Sequence, residues 1–263
     1  MARVGLTFFA AFILLFAVYF EFSLKARLSS LGVWRKLEPV GNTNCKKVET
    51  LQACESVFRP IVSSRHITAH LFLPSVEIVL HPPSGLLYLA CSTPASRRHW
   101  LPALETLQED KVTFEDYIAT YDPATGAVTR LTFSGFPTSR GYSSHGLDVV
   151  PSAANPRELF VYAVNHRKPV DGQGKLSGAD SAIEIFKTTV GGNKLTHVRT
   201  IESPIIDTPN DLVGSSDGRS FYFTNDHGVK VGFVRRTCSG LSIGHTQFPR
   251  PGCSSFWGCR GPR

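Results

Sequence analysis

Methionine is almost missing from this chain, with one residue in 263. Acid–base pairs at four-residue spacing, the mark of surface helices, are also few. Against that shortage stand 22 glycines and 17 prolines spread along the sequence, which favours many turns and a β-rich fold. No glycine-rich loop opens a helix, so a dinucleotide-binding fold has little support. No His-Glu-x-x-His or Cys-x-x-Cys spacing occurs, which removes the common zinc sites. The net charge of +7 lacks the basic helix or basic–aromatic motif that would read nucleic acid. Much of that charge gathers near the ends, at Lys25, Arg27, Arg35, Lys36, Lys46 and Lys47 and again at Arg235, Arg236, Arg250, Arg260 and Arg263. Nucleic acid is therefore not an expected partner.

What is present is the composition of a globular protein, 42% hydrophobic and 19% charged. Val4 to Phe20 is uncharged and apolar, long enough as a helix for roughly 25 Å. Residues 1–28 are read as a signal-anchor, with the membrane as a partner. A cleaved signal peptide is the alternative, although Ala17-Val18-Tyr19 puts a large ring where cleavage needs a small residue. Lys25 and Arg27 outnumber Arg3, which by the positive-inside rule leans the remainder toward the cytosol. No N-x-S/T sequon is present to argue for the lumen. Residues 29 to 50 read as a linker carrying Cys45.

Strand grammar begins at Glu77-Ile78-Val79-Leu80, which turns into Leu86 to Cys91. Hairpins follow at Tyr117 to Tyr121 with Ala127 to Phe133, and at Ala182 to Phe186 with Leu195 to Ile201. The second turns through Val190-Gly191-Gly192-Asn193, which supplies the positive φ angles of a tight reversal. The pattern of Glu77 to Cys91 returns at His145-Gly146-Leu147-Asp148-Val149-Val150 with Glu158 to His166. It returns again at Asn210-Asp211-Leu212-Val213 with Ser220 to His227. The starts lie about 65 to 68 residues apart. A repeated four-stranded unit is the signature of a β-propeller blade, and a β-sandwich is the competing architecture. The expected fold is all-β: about three blades of a six-bladed propeller over 29–234, after an N-terminal hydrophobic helix. Residues that head the first strands would then converge on one channel. Oxygen from Glu, Asp and Asn there suits a hard cation such as calcium.

At His145-Gly146-Leu147-Asp148, Val164-Asn165-His166, Pro209-Asn210-Asp211-Leu212-Val213 and Thr224-Asn225-Asp226-His227 the chain resembles the paraoxonase/arylesterase family. The resemblance runs, with gaps, from about Cys45 to about Val234. It implies a six-bladed propeller with two calcium ions in its tunnel, one structural and one that polarises an ester or lactone carbonyl. It implies that His145 is the general base and His166 its partner; a strand-end cap is the bland alternative for His166. Asn210 matches a ligand of the catalytic calcium, and Asp211 and the carbonyl of Leu147 match ligands of the structural one. Glu55 and Glu77 match the acidic pair of the first blade. The implied activity is calcium-dependent hydrolysis of aryl esters or lactones, in the secretory pathway, membrane-anchored or extracellular. A non-catalytic propeller fragment or binding protein is the alternative.

Two departures stand out. Ala53-Cys54-Glu55 would read directly into Glu77 but for residues 56–76, an expected insertion, read as a retained in-frame intron. After Val234 the pattern stops, and 235–263 is expected to be an irregular tail from read-through or frameshift. Its Cys238, Cys253 and Cys259 fit no common zinc spacing. The family's remaining blades would be missing, and with them the partner of Cys45.

Overall fold

The computed structural model describes residues 2–36, 46–54, 78–227, 229–232, 242–247 and 253–256. The chain divides into two units, Met1–Val48 and Glu49–Arg263. In the first, α1 (Ala2–Tyr19) runs through a π-helical turn at Phe20–Leu24 into α2 (Lys25–Ser30). Over Thr7–Ser30 this helix is long and apolar enough to cross a membrane, and none of it is buried. A signal-anchor and a signal peptide share that property. Helix continues past the expected apolar run, and there Glu21 and Lys25, four residues apart, form an exposed ion pair across one turn.

The second unit is mostly β-sheet. Strands β1 (Ile78–His81) and β2 (Leu86–Cys91) begin it, followed by α3 (Pro94–His99) and the two-residue strands β3 (Trp100–Leu101) and β4 (Thr106–Leu107). Thr93 and Pro94 start α3: the Thr93 hydroxyl accepts from Ser96 N at 3.0 Å and proline takes the first helical position. Next come β5 (Tyr117–Tyr121), β6 (Val128–Arg130), β7 (Thr132–Ser134), β8 (Ser144–Pro151), β9 (Glu158–Arg167), β10 (Asp180–Thr189) and β11 (Lys194–Ile201). Strands β12 (Pro209–Gly214), β13 (Ser220–Asn225), β14 (Ser242–Gln247) and β15 (Cys253–Phe256) complete the set. Among the described residues three larger sheets result, ordered β1-β2-β5-β6, β7-β11-β10-β9-β8 and β12-β13-β14-β15, while β3 and β4 pair with each other alone. Apart from β7, neighbouring strands in each are antiparallel and consecutive within their sheet.

The middle sheet explains why β9 is apolar at every position from Leu159 to Val164. Leu159, Val161 and Ala163 pack with Tyr88, Ile118 and Phe186 on one side, while Phe160, Tyr162 and Val164 pack with Leu212, Phe221 and Phe223 on the other. A strand covered on both faces needs no polar alternation. Burying each of its large side chains is worth roughly 1.5–3 kcal/mol. The third sheet comes so close that a Cβ on Gly214 would meet the Tyr162 ring at 2.1 Å. Glycine is required there by contact, not by a turn.

Two expectations change in detail. Ala127 to Phe133 does not form one strand. Leu131 turns into the core, 3% exposed, and the chain crosses from β6 in the first sheet to β7 in the second. Phe133 then sits 5.0 Å from the Tyr142 ring and 5.2 Å from that of Phe186, which draws β7 against parallel β11. The segment expected to be irregular after Val234 supplies β14 and β15, because β13 offers an open row of backbone donors and acceptors for β14 to pair with. Cys54 is bonded to Cys91, a pairing the sequence left open. Residues 56–76, Cys45, Cys238 and Cys259 lie outside the described residues.

Candidate functional site

Strand β8 carries one extra residue against β9. Ser144 faces Asn165, yet three residues later Leu147 faces Ala163, so the bulge falls on His145-Gly146. A bulge re-aims the side chain that sits on it. Here it turns His145 onto the end of β9, where its Nδ1 lies 2.9 Å from His166 Nε2. Both rings are buried, 5% and 2% exposed.

The backbone around the pair is fixed from several sides. Ser144 N donates to Asp116 Oδ2 at 2.9 Å, Arg97 Nη1 donates to Ser144 O at 2.8 Å, and the Tyr142 hydroxyl meets Ser144 Oγ at 3.1 Å. His166 O accepts from Trp100 Nε1 at 2.9 Å, and His166 Nδ1 lies 2.9 Å from Ser181 Oγ. Such an arrangement holds two imidazoles in one geometry before any ligand arrives.

The third sheet repeats the construction. Pro209 faces Asn225 and Leu212 faces Phe223, so β12 also has a one-residue bulge, on Asn210-Asp211. There Asn210 Nδ2 donates to Asp226 Oδ2 at 2.6 Å. His145–His166 and Asn210–Asp226 thus occupy corresponding places in consecutive sheets. Gly214 N donates to Asp148 Oδ2 at 2.8 Å, tying β12 to β8.

The expected site residues sort as follows. His145 and His166 are brought together. Asn210 meets Asp226, which sequence reasoning did not place in the site although it lies in the Thr224-Asn225-Asp226-His227 motif. Asp211 accepts from Leu212 N at 2.6 Å through Oδ1. The Leu147 side chain is buried between the first and second sheets. Glu55 and Glu77 lie outside the described residues. Arg97, Trp100, Asp116 and Ser181 carried no sequence signal for the site, since each reaches it from another element; only the Thr93-Pro94 helix start was readable.

Calcium takes oxygen ligands. Asn210 binds Asp226 through its Nδ2, so its amide oxygen is not the atom used in that bond. In kind, then, Asn210 and Asp211 fit such an ion. In number the set falls short: among the described residues no group of three or more His, Cys, Asp or Glu side chains is placed to hold a metal. A cleft of about 1000 Å³ is lined by Phe114, Phe133, Phe136, Tyr142, Arg130 and Arg140, and neither histidine lines it. It touches the site only through Tyr142 and Asp116. No model of a known protein family matches the chain, and no curated protein matches it either.

Proposed function

We propose that the Glu49–Arg263 unit is part of a calcium-dependent hydrolase of aryl esters or lactones, built as part of a six-bladed β-propeller of the paraoxonase/arylesterase kind. The observation that carries this reading is the buried His145–His166 contact at 2.9 Å, created by a bulge where the sequence resemblance puts the general base. Supporting the architecture are three consecutive sheets, antiparallel except where β7 joins β11, two of which repeat the same bulge and side-chain pairing.

In this reading His145 keeps Nδ1 toward His166 and uses Nε2 to take a proton from water. The water oxygen attacks the carbonyl carbon, the bond to the leaving oxygen breaks, and the imidazolium returns the proton to that oxygen. Acid and alcohol, or the opened hydroxy acid of a lactone, result. Imidazole is suited to this exchange near neutral pH. Asn210, Asp211, the Leu147 carbonyl, Glu55 and Glu77 would hold calcium, which when bound polarises the substrate carbonyl. The N-terminal helix and the Cys54–Cys91 disulfide support a secretory, membrane-anchored or extracellular location. The competing reading is a non-catalytic binding protein of the same fold. It draws on the Asp148 and Asp211 carboxylates, both committed to backbone amides.

The test is hydrolysis of phenyl acetate and of a δ-lactone by the purified full chain, with calcium and after chelation. Chelation should abolish turnover, and His145→Gln should cost about 10²–10⁴-fold in a folded sample. A folded protein whose turnover is unmoved by either change, or that has none, overturns the enzyme reading.

A further inference from the structure

Ser181 lies directly opposite His166 in the β9–β10 register, and both are almost completely buried, 5% and 2% exposed. Its Oγ is 2.9 Å from His166 Nδ1, and His166 Nε2 is 2.9 Å from His145 Nδ1. The three groups form a single line, and that line can carry its protons in only two senses while both rings are neutral. In the first, His145 Nδ1–H donates to His166 Nε2 and His166 Nδ1–H donates to Ser181 Oγ; His145 Nε2 then bears a lone pair. In the second, the Ser181 hydroxyl donates to His166 Nδ1 and His166 Nε2–H donates to His145 Nδ1. His145 Nε2 is then protonated and has nothing with which to take a proton. A hydroxyl can serve at either end of a hydrogen bond, so Ser181 Oγ can close the line in either sense, as acceptor in the first and donor in the second.

We propose that Ser181 is a positioning residue that accepts the His166 Nδ1–H bond and so holds the His145–His166 pair in the tautomer that leaves His145 Nε2 as a base. The inference rests on the hydrolase reading, which needs a lone pair on His145 Nε2 and so selects the first sense. The logic is that of a base oriented by a third group, with a neutral hydroxyl where a carboxylate often stands. Neutrality suits the site: a carboxylate this deeply buried would carry a desolvation cost that a hydroxyl avoids. An acceptor is also needed after proton transfer. If His145 passes the charge along its Nδ1, His166 becomes a donor at both nitrogens, and Ser181 Oγ is the partner on the far side.

The test reads the tautomers directly, by nitrogen-15 imidazole spectra of the full chain in detergent at a pH where both rings are neutral. In the unaltered protein His166 and His145 should both carry the proton on Nδ1. Finding it on Nε2 of either ring overturns the proposal without any variant. Ser181→Ala should shift His166 toward the Nε2–H form and lower kcat for phenyl acetate about tenfold with KM unchanged. Ser181→Thr, which keeps the hydroxyl and suits a strand, should restore both. Unmoved tautomers in folded Ser181→Ala, or a Thr variant no better than Ala, sink the inference. If the tautomers respond as expected while no ester or lactone is hydrolysed, the hydrolase reading fails and the structural role of Ser181 stands.

Discussion

Asn165 and Asn225 do the same work one sheet apart. Asn165 Oδ1 accepts from Ser143 N at 2.9 Å and Asn225 Oδ1 accepts from Thr208 N at 3.0 Å. In each case the next residue in the chain donates its amide back: His166 N to Ser143 O at 2.8 Å and Asp226 N to Thr208 O at 2.9 Å. Each asparagine thus clamps the loop that enters a bulged strand just before the residue the bulge turns inward. The same clasp thus recurs in the second and third sheets.

Replacing Asn165 by Ala removes the acceptor of the buried Ser143 amide and the donor that reaches Glu184 Oε1 at 3.0 Å, while Glu184 Oε2 keeps Thr200 and His197. Asn165→Ala should therefore cost about 2–3 kcal/mol. Denaturant unfolding measures it, with an unchanged slope expected. A loss under half a kcal/mol would show that the clasp is ornamental.

Gly214→Ala should destabilise by about 1–3 kcal/mol, because its methyl group would enter the Tyr162 ring, whose hydroxyl is anchored 2.6 Å from Ser215 O. Pairing the change with Tyr162→Leu removes the obstructing ring and should recover part of the loss. Thermal unfolding of both variants decides it; no recovery in the pair would place the strain elsewhere.

Cys54 and Cys91 are 37 residues apart. Closing a loop of that length should contribute about 3–4 kcal/mol, so Cys91→Ser should lower the unfolding free energy by that amount. Reducing agent should bring the unaltered protein down to the level of the variant. Equal stability with and without reductant would mean that the bond does not form.

Burial pushes the Asp207 carboxyl above its ordinary range, and nearby Lys230 opposes part of that shift. A carboxyl whose folded pKa is raised favours the folded state fully below its unfolded value of 3.8, and this contribution is lost as pH climbs through the folded value. Asp207→Asn should therefore unfold at a higher temperature than the unaltered protein near neutrality, with the gap closing on acidification toward 3.8. A gap that widens in acid would reverse the sign and refute the assignment.

Much of this molecule is legible from local sequence. The apolar run without charge, the Gly191-Gly192-Asn193 reversal and the six consecutive apolar residues of β9 each state their structure, because helix length, positive φ and two-sided burial leave marks at short range. The resemblance motifs singled out His145, His166, Asn210 and Asp211, residues that head or close apolar runs. The sequence could not say that Leu131 would split one expected strand between two sheets, since that depends on an aromatic cluster drawn from β7, β10 and the loop before β8. Nor could it find Ser181, which is silent in its own neighbourhood and meets His166 only because β10 pairs with β9 in one register. The bulges at His145-Gly146 and Asn210-Asp211 are of the same kind: a one-residue mismatch exists only between two strands. Residue chemistry and periodicity were set by the chain alone, and which polar groups face each other was decided by register and sheet stacking, because hydrogen bonds across strands join residues that sequence distance does not relate.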